Sequence, residues 1–497
     1  MLVAVTCHRQ GELRGEEMSY VLTEPDMVAT AATDAESIGS ALSTAVTDAA
    51  GPTTDLAAAA EDEVSAAVAK LFGAYAQEYQ AIIAKAEAFH SEFTRALGAA
   101  ANAYEHAETA ATALLSSELP TVSSLTPTTS ITSSDPLIAL IMGGTGISQP
   151  DPDFVMEKFN GYIQSNPLFA GAIPEGLFAP EQFFPFTPQL GNLTFGQSVS
   201  QGVAALNDAL LGPTGVITQG NSAVVVGVSQ SAVVQTNEIR ALLALPAGQQ
   251  PSAGQLSFVM LGNLNNPDGG LFARFPGFYI PVLDVPFNGA TPQSPWHTEI
   301  YTNQYDGIAD FPQYPLNLVS DVNAVMGIFT GGHHYVTNAG AIALPTSPGF
   351  TGNTTYFLTL TQDLPLVGPL RFFGGTIGNA VADLLQPDLR VIVDLGYAGY
   401  GPGGNFANIP TPAGLFSIPD PFTVIPDLAT GAVQGIQAAG VDLGLLPASA
   451  LPTTYPFVPS IDPQLHIFLG QPSTTLLSVA GGALGDVFRL IPPLMLG

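Results

Sequence analysis

The stretch Ala223-Val224-Val225-Val226-Gly227-Val228-Ser229-Gln230-Ser231 decides how this chain is read. Its run of valines suits an extended backbone buried on both faces of a sheet. Residues 232–245 contain neither glycine nor proline and read as a helix. Between the two lies Gly-x-Ser-x-Ser. A strand that turns sharply into a helix around a serine is the geometry of a nucleophile elbow. The turn lifts the Oγ of Ser229 above the sheet. Small residues two positions to either side, Gly227 and Ser231, let strand and helix close on one another.

Outward from that turn, strand and helix patterns alternate. Residues 137–142 form a short apolar strand that runs into Gly143-Gly144-Thr145-Gly146. Residues 199–211 are helical and stop at Gly212-Pro213, and residues 256–261 and 299–302 read as further strands. This alternation predicts an α/β domain with a mainly parallel central sheet, of the α/β-hydrolase type.

A serine hydroxyl needs a base, and the base needs a carboxylate to hold it. In this kind of fold the chain order is Ser, Asp, His. The segment Tyr305-Asp306-Gly307-Ile308-Ala309-Asp310-Phe311-Pro312 follows a strand, and Asp306, nearest its end, is preferred to Asp310. A helix over residues 316–328 then leads to Gly331-Gly332-His333-His334-Tyr335, where either His333 or His334 is the expected base. His297 precedes the acid and breaks the order; His466 is held in reserve. The oxyanion hole requires backbone N–H groups at the developing charge. Gln230 supplies one, and the glycine loop supplies the other through Thr145 or Gly144. Residues 263–296, rich in proline, glycine and aromatics such as Phe272, Phe275 and Phe287, read either as a lid or wall of an acyl pocket or as ordinary core beneath a long loop.

The chain has 497 residues, with 11 Lys and Arg against 41 Asp and Glu, a net charge of −30. Such a surface repels phosphate backbones and anionic headgroups, so nucleic acid is excluded as a partner. Cys7 is the single cysteine, which removes disulfides and thiol catalysis. No ligand spacing for a catalytic metal is present, so no metal and no cofactor are expected. No apolar run reaches the length of a transmembrane helix.

The N-terminal part differs in kind. Residues 1–17 lack the apolar stretch of a signal peptide and are read as a non-native extension, with translation starting at Met18. Residues 18–113 are alanine-rich and form a helical hairpin around Gly51-Pro52-Thr53-Thr54. Its second helix carries one apolar stripe through Val64, Val68, Leu71, Tyr75, Tyr79 and Ile82. Two helices cannot bury that stripe alone, so it packs on a helical partner or on the rest of the chain. Residues 114–135 are a Ser/Thr/Pro-rich linker, 136–405 the hydrolase domain, and 406–497 a Pro/Leu-rich part packed on it.

Met18-Ser19-Tyr20-Val21, Gly51-Pro52-Thr53-Thr54, the run Ala59 to Ser65 and Ala88-Phe89-His90 resemble the mycobacterial PE domain, with Pro25-Asp26 where that family has Pro-Glu. The resemblance implies a PPE-type helical partner, export by type VII secretion machinery, and a secreted or cell-surface location. It also implies that Tyr104 and Glu108, one turn apart, form the export motif Tyr-x-x-x-Asp/Glu. Met142 to Gly146, Gly227 to Ser231, Tyr305 to Pro312 and Tyr314-Pro315-Leu316-Asn317 resemble the PE-PPE domain, a serine α/β hydrolase with cutinase- and lipase-like character. That family carries its His three residues before a Tyr, whereas Gly332 stands three before Tyr335. The expected activity is hydrolysis of carboxylic (acyl) esters or lipids through a Ser-Asp-His triad. The alternatives are acyl transfer to cell-envelope glycolipids, or a surface interaction protein whose site has decayed.

Overall fold

The computed structural model describes residues 136–491 apart from residue 402, together with residues 33, 36, 40, 43, 44, 47, 51 and 70, which are helical. The expectations for residues 1–17, the hairpin at 18–113 with Tyr104 and Glu108, and the linker at 114–135 lie outside the described residues except at those eight positions.

The C-terminal unit is built on a seven-stranded sheet. Its strands, with a small separate hairpin numbered in sequence among them, are β1 (Leu137–Ile141), β2 (Ile173–Gly176), β3 (Ser222–Val228), β4 (Leu256–Leu261), the hairpin β5 (Tyr279–Ile280) and β6 (Val285–Pro286), β7 (His297–Asn303), β8 (Ala341–Ala343) and β9 (Thr354–Thr359). The order is β2-β1-β3-β4-β7-β9-β8, parallel throughout except β8, which pairs antiparallel with β9. Helices are α1 (Pro152–Lys158), α2 (Phe195–Leu211), α3 (Gln230–Leu243), α4 (Leu271–Arg274), α5 (Leu318–Phe329), α6 (Gly368–Asp394), α7 (Pro421–Asp442) and α8 (Leu476–Phe488).

Both faces of the central strands are covered, so alternate residues enter different cores. Val225, Phe258 and Met260 join the core that α2 and α3 close, while Val224, Val226, Val259 and Leu261 join the opposite one. This is why the strands read as continuous apolar runs. The chain lays down β1, steps outward to β2, then crosses back to β3 on the other side of β1. The carboxyl ends of β1 and β3 therefore diverge into loops that leave in opposite directions, which opens a crevice there. Strands β2, β8 and β9 and helices α6 to α8 had no counterpart in the sequence reading.

Candidate active site

Ser229 sits at that crevice, between β3 and α3, with φ 58° and ψ −113°. An L-residue keeps such a backbone only when its surroundings impose it. Its N–H donates to the Leu261 carbonyl on β4 at 2.8 Å. The buried Ser231 hydroxyl accepts from the Val228 N–H at 2.7 Å and donates to the Val228 carbonyl at 3.0 Å, which closes the turn from inside. A Cβ on Gly227 would lie 2.5 Å from Gln235 Nε2 and 3.0 Å from the Ser231 carbonyl carbon, so strand and helix meet at a distance that requires glycine.

Asp306, in the loop after β7, is fully buried. Its Oδ1 accepts from the Ile308 N–H at 2.9 Å. Its Oδ2 accepts from the Tyr335 hydroxyl at 2.6 Å and meets His333 Nδ1 at 2.7 Å. A carboxylate only accepts, so the ring proton belongs on Nδ1 and the lone pair on Nε2. That Nε2 is buried and makes no hydrogen bond. Burial, reinforced by the Asp306 carboxylate, holds the Tyr335 phenol well above its ordinary range, so it remains a donor. Gly262 follows Leu261 with φ +62°, and a Cβ there would approach within 2.7 Å of His333 Cε1 and Tyr335 Cε2. Ser229 and His333 thus flank the same strand end, one bonded to Leu261 and the other packed on Gly262.

The other candidates lie elsewhere. His334 is exposed; its N–H donates to the Gly331 carbonyl at 3.1 Å and its carbonyl accepts from Asn303 Nδ2 at 3.3 Å. His297, at the start of β7, pairs with Glu299 at 3.2 Å. His466 donates from Nε2 to the Tyr397 carbonyl at 2.7 Å. Asp310 shapes the acid loop, its Oδ2 accepting from the Tyr305 N–H at 2.8 Å, and burial pushes its carboxyl up to about 7. Among the described residues, no group of three or more His, Cys, Asp or Glu is arranged to hold a metal ion.

The loop after β1 folds over the elbow. The Ile147 N–H donates to the Gly144 carbonyl at 2.9 Å, and Gly146 takes φ 95° at the corner that favours glycine. A Cβ on Gly144 would lie 3.1 Å from the Val228 carbonyl oxygen and 3.4 Å from Ser229 Cβ. Gln230 opens α3, so its N–H has no intrahelical acceptor. Its buried side chain is fixed at both ends. Oε1 accepts from the Thr145 hydroxyl at 2.8 Å, and Nε2 donates to Ser198 Oγ at 2.8 Å and to the Gln182 carbonyl at 3.1 Å. Sequence reading named Gln230 for its backbone alone. It gave no role to Ser198, Gln182 or the Tyr335 hydroxyl, and only Tyr335 had a local signal, its place beside the histidines.

Of the two readings of the aromatic stretch over 263–296, the core reading holds for Phe272 and Phe287. The stretch folds as α4 and the β5–β6 hairpin, and Phe272 and Phe287 pack at 4.7 Å in the core instead of walling an open pocket. A cleft of about 530 Å³ lies between Tyr314, His466 and the tail, and Ser229, Asp306 and His333 are not among its walls.

The C-terminal unit is thus an α/β protein with a strained serine at the switch point of a mainly parallel sheet. Residues 21–111 match the PE family and residues 170–398 the PE-PPE domain. PE family protein PE3 of Mycobacterium tuberculosis is 51% identical over 482 residues, 96% of this chain and 100% of that one. Esterase PE16 of the same organism is 46% identical over 435 residues, 86% of this chain and 78% of that one. This chain belongs to the PE family and carries a PE-PPE domain. A solved cutinase-like protein from Cryptococcus sp. is similar over 36% of this chain and 82% of its own, at 16% identity and a TM-score of 0.24, too slight a likeness to bear on chemistry.

Proposed function

We propose that this protein is a secreted or cell-surface serine esterase or lipase that cleaves carboxylic esters through an acyl-enzyme. The observation that carries the reading is the pair of buried Asp306 and half-buried His333, its Nε2 left without a hydrogen bond, at the strand end that also holds strained Ser229. His333 Nε2 takes the Ser229 proton as Oγ attacks the acyl carbon. Asp306 holds the ring by Nδ1 and balances the imidazolium charge. The N–H of Gln230, with that of Thr145 or Gly144, receives the oxyanion. The alcohol departs with the proton carried by His333. Water, deprotonated by the same nitrogen, then attacks the acyl carbon, releasing the carboxylic acid and restoring the serine hydroxyl. A relative that bears the name Esterase PE16 supports the reading. The PE hairpin, with Tyr104 and Glu108, serves export and pairing with a PPE-type partner in this reading.

The test is p-nitrophenyl ester hydrolysis together with fluorophosphonate labelling. The wild type should be labelled on Ser229 and turn over. Ser229→Ala should lose labelling and about a thousandfold or more of activity, as loss of a triad member does. Equal rates for both proteins on every acyl length, with no labelling, would sink the assignment.

A further inference from the structure

Helix α5 is built inside out. It buries Ser320, Asn323, Ala324 and Gly327. It turns Leu318, Val322, Val325 and Phe329 to solvent, with Leu318 70% and Phe329 82% exposed. Steps of three and four residues put these four on one stripe. Helices α6 and α7, packed side by side beyond it, also turn large apolar residues outward, although α6 buries Ala382, Val391 and Val393 as well. The first buries Gln386 and Arg390 and exposes Ile377, Leu384 and Leu385. The second buries Gln434, Gly431 and Gly435 and exposes Phe422, Ile425, Val433 and Ile436. Every ionisable side chain on the three helices is buried or half-buried. In a chain of net charge −30, the exposed positions of these three helices carry no ionisable group, and the exposed charge beside them is Asp363, just before α6, which pairs with Arg371 at 3.2 Å. An apolar face of three helices is unfavourable in water unless something covers it.

We propose that α5, α6 and α7 form a docking face for an uncharged lipid surface, at the mouth of the candidate active site. Charge selects the occupant. The face has no fully exposed cation for an anionic headgroup, and the acidic chain as a whole is repelled by one. A protein partner would meet a polar rim around an apolar centre; here the charged part of such a rim is reduced to Asp363 beside α6, with no ionisable group at the exposed positions of the helices themselves. Position supports the same choice. Gly327 packs its backbone on the Tyr305 carbonyl, next to Asp306, and the C-terminus of α5 leads through Thr330-Gly331-Gly332 into His333. The C-terminal half of α5 therefore adjoins the acid loop, through Ala324 and Gly327, and leads into the base loop, and Phe329 stands four residues before His333. Helices lying along an interface with their apolar side down present such a face. The proposal uses the position of the candidate site and not its chemistry.

The test is flotation of the full chain carrying Ser229→Ala, with phosphatidylcholine vesicles and with phosphatidylcholine-stabilised triolein emulsion. Binding should survive 0.5 M salt, a concentration of order that screens charge pairing, and should weaken when phosphatidylglycerol is added. A variant with Val322→Glu, Phe329→Glu, Ile377→Glu and Ile436→Glu should bind at least about tenfold less. These positions are solvent-exposed, so thermal unfolding should stay unchanged, which keeps loss of binding apart from loss of fold. Three outcomes overturn the proposal: no flotation of the parent, equal flotation of the folded variant, or a stable oligomer or protein complex that the variant dissociates while lipid binding is absent. Because Ser229→Ala carries the assay, failure here leaves the esterase reading standing, and failure of hydrolysis leaves this one standing.

Discussion

Replacing Tyr335 by phenylalanine removes one oxygen from the most heavily bonded point of the site. The hydroxyl donates to Asp306 Oδ2 at 2.6 Å and accepts from the Asn303 N–H at 3.1 Å. The first is a hydrogen bond to a buried charge, about 1.5–3 kcal/mol. The second leaves a backbone N–H without its acceptor, roughly 1 kcal/mol more. A stability loss of about 2.5–4 kcal/mol follows, read as a lowered unfolding midpoint in denaturant. Activity should fall far less than for a triad member. Asp306 keeps the Ile308 N–H on Oδ1 and His333 on Oδ2, so the carboxylate stays in place with one restraint fewer. Looser aim of the imidazole should cost about tenfold in kcat, about 1.4 kcal/mol, with KM nearly unchanged. Steady-state hydrolysis of a short p-nitrophenyl ester measures both. If kcat stays within about twofold of wild type, the Tyr335 bond does not aim His333 and the positioning argument fails. If kcat falls by about a thousandfold, as for a triad member, Tyr335 takes part in the reaction itself and the role given to His333 must be revised.

Three further outcomes are expected. His333→Ala should lower kcat/KM by about a thousandfold or more, while His334→Ala should stay within about threefold, since only the first ring meets Asp306; the reverse order would refute the assignment of the base. Gln230→Leu breaks three side-chain hydrogen bonds, one that holds Thr145 in its loop and two that anchor the amide to Gln182 and Ser198, and kcat should drop about 10- to 100-fold, comparable to weakening an oxyanion donor; unchanged kcat would show that the loop keeps its place without the amide. Glu238 is fully buried, and burial pushes its carboxyl from 4.5 up to about 7 despite the Asn207 hydrogen bond. The unfolded chain releases that proton near 4.5, so stability falls between pH 4.5 and 7 and then levels, by about 3 kcal/mol at most. Glu238→Gln should remove this decline, and calorimetric midpoints for both proteins at pH 5 and pH 8 that show the same difference would contradict it.

Where the sequence speaks through neighbours in the chain, its reading and the structure agree. Three valines before a glycine, a serine and a helix-forming run dictate strand, turn and helix over 222–243, because propensity and sterics act over a few residues. The strand at 137–141 and the helix at 318–329 were legible for the same reason. The family was legible in contiguous motifs. Helices α6 and α7 were not, because apolar residues stand on both sides of α6, many large ones of both helices face outward, and glutamines, glycines and an arginine face inward, which defeats the usual reading of an amphipathic pattern.

The histidine question shows the limit most plainly. His333 and His334 are adjacent and chemically identical, so no local rule separates them. The separation comes from β4 and the loop after β7: Gly262 leaves room for one ring, and Asp306, distant in sequence and itself held by the Tyr335 hydroxyl, binds it. The Gln230 amide is a second case, since Ser198 and Gln182 reach it only once α2 packs on α3. By itself the sequence determined the elbow, its nucleophile candidate and the family. Tertiary structure alone decided which histidine meets the acid, what holds the loop over the elbow, and that large apolar residues of α5 to α7 face solvent. Side-chain partners from separate segments are set by packing, and packing exists only after the whole sheet has formed.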